Sequence, residues 1–243
     1  EKDYWLKNMT ILNMNNQQKN NNDVSLIGFY GGDVINACSA WTSTSRNLTE
    51  DKKNRIPKLL KMLADDGHHT PFEKSTVHFL VNTDIATHIQ ICKHRISSLN
   101  AESARYKELK EDKYYLPNDW SGIKVSKEIS FRNEKVTCNE DEWLEMLEEY
   151  TKLGNELYHQ CLEDLTPVLG RKRAKESARF FKTYNSQIQG DLMFNFRSFV
   201  NFQSLRNSEH AQKEIRDLAE QMLQLVKDIP GEPFKFTIEA FKL

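Results

Sequence analysis

The 243 residues predict one domain that mixes strands with long helices. Three observations lead there. Residues 24–30, 75–81 and 192–196 are short apolar or alternating runs of strand length. Residues 56–63, 143–161 and 211–229 carry apolar side chains at helical spacing. No Pro/Gly/Ser-rich linker divides the chain, which is long enough to bury a sizeable core.

Taken in order, the run NMNNQQKNNN from Asn13 to Asn22 is polar, low in complexity and reads as a mobile excursion. Val24 to Tyr30 has the content of a buried strand, ended by Gly31-Gly32, and Asp33 then caps a helix through INACSAW. Thr49, followed by Glu50 and Asp51, starts a second helix. Its buried stripe is Ile56, Leu59, Leu60 and Leu63, Pro57 kinks or restarts it, and Gly67 stops it. His68, His69 and Glu73 in GHHTPFEK lack HExxH spacing and by themselves read as solvated histidines after a helix. Ser75 to Val81 is a strand leading into the central helix, on which Ile85, Ile89 and Cys92 form the apolar stripe and Thr87, Gln90 and His94 the opposite face.

Residues 107–138 read as an exposed loop and then a short hairpin or an insertion. Asn139 with Glu142 makes a capping box for a scaffold helix whose stripe, Trp143, Leu147, Tyr150, Leu153, Leu157 and Cys161, belongs in the core. Thr166-Pro167 suits another helix start, and the basic run RKRAKESARFF reads as a solvated face before a nucleic-acid patch. Leu192 to Phe196 is a short strand and Arg197 to Arg206 a helix. Ser208 caps a final helix with a seam from Ala211 to Ile229, and FKFTIEAF closes as a short strand or strap.

Composition excludes several functions. The 34 basic and 35 acidic residues leave no surplus for a general nucleic-acid or membrane partner. Cys38, Cys92, Cys138 and Cys161 have neither zinc nor disulfide spacing, so reduced thiols and a cytoplasmic location are expected. No apolar run approaches the ~20 residues of a membrane span, and EKDYWLK lacks a signal-peptide core.

The chemistry concentrates in QICKHRISSLNAESARY, from Gln90 to Tyr106, where Lys93, His94, Arg95 and Arg105 surround three serines. Such donors suit an anion. Lys-His-Arg alone fits a solvated helix end that complements the dipole. With Ser103-Ala104-Arg105 following, and free N–H groups expected from Ser97 to Ser103, the stretch fits a phosphate site.

KHRISSLNAESARY resembles the signature of the flavin-dependent thymidylate synthases: Arg-His-Arg, seven residues, then Ser, with Asn-Glu before that Ser and Arg-Tyr after it. His94, Arg95, Asn100, Ser103, Arg105 and Tyr106 fall in register; Lys93 replaces the first Arg, and Ala101 stands where the family has Glu. GHHTPFEK resembles the family's Gly-His-x-Thr-Pro-Phe-Glu-His, with Lys74 for the last His. NFRSFVNFQSLRNSEHAQ is similar to a third family stretch through Asn195, Arg197, Asn201, Leu205, Arg206 and His210.

The resemblance implies an α+β fold, an antiparallel sheet packed by long helices. It implies synthesis of dTMP from dUMP, with methylenetetrahydrofolate as carbon donor and NADPH reducing bound FAD, in a homotetramer whose sites lie between subunits. By position, Gln90, Ser103, Ala104, Arg105 and Arg179 would hold the nucleotide, and Arg206 would contact the uracil and stabilise charge developing there. Lys93, His94, Arg95, Asn195, Arg197, Asn201 and His210, joined by His68 and Thr70, would hold FAD. A flavin route is coherent because methylating an unactivated pyrimidine carbon needs a nucleophile or a redox cofactor, and no Cys is paired with an obvious base. Two other readings stand beside it. One is a non-catalytic nucleotide- or RNA-binding module, disfavoured by the near-zero net charge. The other is a paralogue that keeps the flavin and has lost the chemistry, in line with Lys93 and Ala101.

Overall fold

The computed structural model describes residues 21–45, 47–138 and 140–243. Its centre is an antiparallel sheet of β1 (Asp23–Tyr30), β2 (Thr76–Asp84), β3 (Ser98–Ala101) and β6 (Gln187–Asn195), ordered β1-β2-β6-β3. Alternation puts Val77, Phe79 and Val81 of β2, with Leu192 and Phe194 of β6, on one face. That face packs on Phe199 and Phe202 of α6 (Phe196–Arg206) and on the Ile215, Leu218, Met222 and Val226 seam of α7 (Lys213–Lys227). The fold is thus the expected α+β arrangement. β4 (Ile129–Phe131) and β5 (Glu134–Thr137) form the anticipated hairpin.

A second core joins α1 (Asp33–Trp41), α2 (Glu50–Asp65) and α8 (Lys235–Phe241) around Phe72. Thr49 caps α2 by accepting from Lys52 N–H, and the helix runs through Pro57 without a restart. Asp33 does not cap α1. Gly32 holds that position, and the Asp33 carboxylate accepts from Phe236 N–H at 2.8 Å and from Thr237 N–H at 2.8 Å. It therefore caps α8, and the tail expected as a strand or strap is a helix. No side chain of the tail itself caps α8, so no local signal marked it.

Several expectations about burial reverse. β1 is an edge strand with Ile27, Phe29 and Tyr30 exposed, because only one neighbour pairs with it. In α3 (Ile85–Ile91) the buried residues are Thr87 and Ile91, whereas Ile89 and Cys92 face outward. Under two turns of helix carry little periodic information, and the cap from Asp84 to Thr87 N–H orients it instead. Ser98 to Ala101 is strand rather than loop, so part of its backbone is committed to β6. Of the Asn-rich run only residues 21 and 22 are described, and Asn22 is anchored by Asp84.

The largest reversal concerns α4 (Trp143–Leu169). Its capping box is Glu142 with Glu145, and Asn139 lies outside the described residues. Trp143, Tyr150, Leu153 and Leu157 are exposed, while Thr151, Gly154, Asn155, Tyr158 and Leu162 face inward. Tyr158 and Leu162 pack on Ala174 and Ala178 of the helix that follows, and the rest of the inward side meets loops. Tyr158 Oη accepts from Leu109 N–H, Lys182 Nζ donates to Asn155 and Asp112, and a Cβ on Gly154 would lie 2.7 Å from the Phe181 carbonyl. Thr166-Pro167 starts nothing; α4 continues to Gly170, where φ is +75°, and α5 (Arg171–Ala178) follows. Ser208 accepts from His210 N–H in a turn and does not cap α7, whose N-cap is Gln212.

Candidate functional site

α3 ends in the Lys93-His94-Arg95 corner, and α6 presents Arg197, Asn201, Leu205 and Arg206 along one face while Phe199, Phe202 and Gln203 of the other are buried. Between them opens a cavity of about 640 Å³, closed by His69 at the start of the 3-10 turn Thr70–Lys74, by Glu73 within that turn and by Phe241 of α8. Lys93, Arg95, Arg197 and Arg206 oppose the single carboxylate of Glu73, which pairs with Arg197 at 2.6 Å. The cavity is therefore built for an anion, and an extended one by its size.

Arg206 is the cation whose aim is fixed by neutral partners. Like Lys93 and Arg95 it has no carboxylate partner among the described residues; its Nε–H donates to His94 Nε2 at 2.9 Å and its Nη1 to Gln90 Oε1 at 3.4 Å. An accepting Nε2 means that His94 is neutral with its proton on Nδ1. Burial, and then the Arg206 charge, hold the imidazole below its usual range. The ring also packs edge-on against Phe202, 4.9 Å between centroids.

A second place lies beyond the other end of β3. Ser103 Oγ accepts from Arg105 N–H within its own turn, and Arg105 Nε donates to Glu176 of α5 at 3.1 Å. Lys175 holds the Tyr106 carbonyl and Arg171 holds Glu108, so α5 and this turn form one unit. Arg179 opens the 3-10 turn that follows α5. Glu102 does not face outward as a spare carboxylate. Its Oε2 accepts from Gln189 N–H at 3.0 Å and its Oε1 from Lys107, so the side chain prolongs the β3–β6 pairing.

Of the residues named from sequence, Lys93, His94, Arg95, Arg197, Asn201 and Arg206 converge on the cavity, with Gln90 attached through Arg206. Ser103, Ala104, Arg105 and Arg179 do not line that cavity. Asn195 caps α6 by accepting from Ser198 N–H, and His68, Thr70 and His210 are exposed and off the cavity wall. His69, expected as a solvated histidine, lines the cavity instead; its Nε2–H donates to the Ala64 carbonyl and its ring meets Phe72 and Phe241 edge-on. Glu73 stood in the quoted motif, whereas nothing local marked Phe241. One Cys–base pair does exist: Cys92 Sγ lies 3.4 Å from His88 Nε2, at the helical spacing of four. It faces solvent and does not line the cavity.

The model of the thymidylate synthase complementing protein family matches residues 26–230. The flavin-dependent thymidylate synthase of Thermosipho melanesiensis is 32% identical over 89% of this chain and 88% of its own length. That of Pseudothermotoga lettingae is 31% identical over 85% of each. A UMP/dUMP methylase of Streptomyces cacaoi, solved with 5-Br dUMP, superposes with a TM-score of 0.72 at 25% identity, covering 92% of this chain and 96% of its own.

Proposed function

The chain belongs to the flavin-dependent thymidylate synthases, the thymidylate synthase complementing protein family, and we propose that it is a cytoplasmic enzyme that methylates dUMP to dTMP, with methylenetetrahydrofolate as carbon donor and NADPH as reductant. The observation that carries this reading is the cavity itself. It draws the three family stretches together around an excess of cations, of which only Arg197 has a carboxylate partner among the described residues.

The cavity fits FAD. Lys93, Arg95 and Arg197 would hold its diphosphate, with Asn201 and His94 as neutral partners, because fixed cations and amides recognise phosphate oxygens. Bound there, FAD would supply the redox capacity that lets an unactivated pyrimidine carbon take up a one-carbon unit without an enzyme nucleophile. Arg206 would meet the uracil carbonyl. A guanidinium has five N–H donors; His94 and Gln90 take two, and the others remain for charge that grows on the ring. Arg105, Arg179 and Ser103 would hold the nucleotide phosphate as charge-assisted donors.

Ser103, Arg105 and Arg179 do not line the cavity that holds Arg206. A second copy would bring both groups to one nucleotide, and we propose a homotetramer of one-domain subunits with shared sites. The exposed face of α4, with Trp143, Tyr150, Leu153 and Leu157, is apolar surface that such an assembly would cover. The test is the absorbance of the purified protein, followed by turnover of dUMP. A flavin spectrum with dTMP formed from dUMP, methylenetetrahydrofolate and NADPH is expected. A protein that neither carries nor binds flavin overturns the reading, and flavin without turnover identifies a paralogue that has lost the chemistry.

A further inference from the structure

Gln212 occupies the N-cap of α7, a position that favours Ser, Thr, Asn or Asp, yet makes no capping hydrogen bond. Its side chain is engaged elsewhere. Gln212 Nε2–H donates to Glu214 Oε2 at 2.7 Å, and Gln212 Oε1 accepts from Gln90 Nε2–H. Gln90 Oε1 in turn accepts from Arg206 Nη1, and Arg206 Nε–H donates to His94 Nε2. Five side chains from three helices and their ends thus form one line of hydrogen bonds that runs through the Arg206 guanidinium and finishes at His94.

The line has a direction, and Glu214 sets it. A carboxylate only accepts, so Gln212 must turn its amino group toward Glu214 and its carbonyl toward Gln90. Gln90 must then turn its amino group to Gln212 and its carbonyl to Arg206. Either amide alone could be reversed with little change of shape; with the carboxylate at the end, neither can. Reversal at Gln90 would set an amino group against the guanidinium and push it off His94. Glu214 is itself placed for an independent reason, in the first turn of α7, where the helix dipole favours an anion.

We propose that Gln212, oriented by Glu214, is a positioning residue that aims Arg206 through Gln90, an inference that rests on Arg206 acting at the pyrimidine as proposed above. The alternative is a set of surface contacts that merely hold α3 against the start of α7, for which polarity is irrelevant. Three variants separate the two. Gln212→Met removes the polar atoms at nearly constant size. Gln212→Lys offers only donors to Gln90. The double exchange Gln212→Glu with Glu214→Gln keeps the direction and the total charge, since a carboxylate at 212 accepts from both neighbours.

The expected order of kcat is wild type and double exchange together, within about threefold, then Gln212→Met about tenfold lower, the worth of one hydrogen bond, then Gln212→Lys lowest. KM for dUMP changes less than kcat in all, because the phosphate contacts are kept while the aim at the ring is lost. The second readout needs no turnover. In ¹⁵N-histidine spectra His94 Nε2 should keep its hydrogen-bonded signal in the double exchange and shift toward that of a free ring nitrogen in Gln212→Lys. Equal kcat in the three variants, or an unmoved His94 signal in Gln212→Lys, overturns the proposal. If wild type forms no dTMP, the functional reading falls and the spectra alone decide whether the line aims Arg206.

Discussion

At the scale of single residues, Arg105 and Arg179 differ in a way that kinetics can read. Both are expected to raise KM for dUMP when changed to alanine, by ~1.5–3 kcal/mol per charge-assisted contact. Arg105→Ala should cost the more of the two, because it also leaves the Glu176 carboxylate held by Arg173 alone, at 3.5 Å, beside the same anion. Unchanged KM in both variants contradicts the phosphate assignment. Glu102→Ala should leave kcat and KM near wild type and lower stability by about 1 kcal/mol, since it strips the partner of Gln189 N–H; a hundredfold loss of kcat with the fold intact, about 2.7 kcal/mol, would place Glu102 in the reaction. His94 carries a pH prediction. Its pKa in the folded chain lies below the usual 6.5, chiefly through burial and secondarily through Arg206. The neutral ring therefore contributes its full stability above 6.5, and this is lost as pH falls through 6.5 toward the folded value, where the unfolded chain takes up the proton first. NMR titration should find His94 below the usual imidazole range in wild type and higher in Arg206→Met; a wild-type value at or above that range refutes the neutral partner.

Among the elements, the helix α8 depends on a side chain from the far end of the described chain. Asp33 is buried and satisfies two N–H groups and the Thr237 hydroxyl, so Asp33→Ala should lower stability by about 2–4 kcal/mol, measured by denaturant unfolding. A change of under about 0.5 kcal/mol, the ordinary size for surface positions, would contradict the cap. This cap also shows why FKFTIEAF was illegible as a helix: its starting signal is not in its own neighbourhood. The central strands were legible because alternation in Ser75 to Val81 is a local consequence of one buried face. α4 was misread for the opposite reason. Its polar and glycine positions, Thr151, Gly154 and Asn155, serve loops packed against them, and an apolar stripe gives no sign of whether it meets its own chain or another. In the site, Lys93-His94-Arg95 and Arg197 to Arg206 could be found because each is a continuous stretch, whereas choosing His69 over His68 requires the turn that points only one of them inward.

For the molecule as a whole, the exposed stripe of α4 makes assembly testable apart from chemistry. Leu153→Glu should shift the protein toward smaller species in light scattering and leave helix content unchanged, because a charge on that face would have to be desolvated on association. A mass equal to wild type places the contact elsewhere. The Asp33 cap bears on time as well as on stability. Asp33 and Thr237 are 204 positions apart, so at ~5–20 residues per second a ribosome needs roughly 10–40 s to make the second after the first. Throughout that interval the carboxylate waits without its donors, and Phe241, which closes the cavity, has not been made. The early-made half of the second core must therefore be sheltered or remain open until residues 234–241 have been translated.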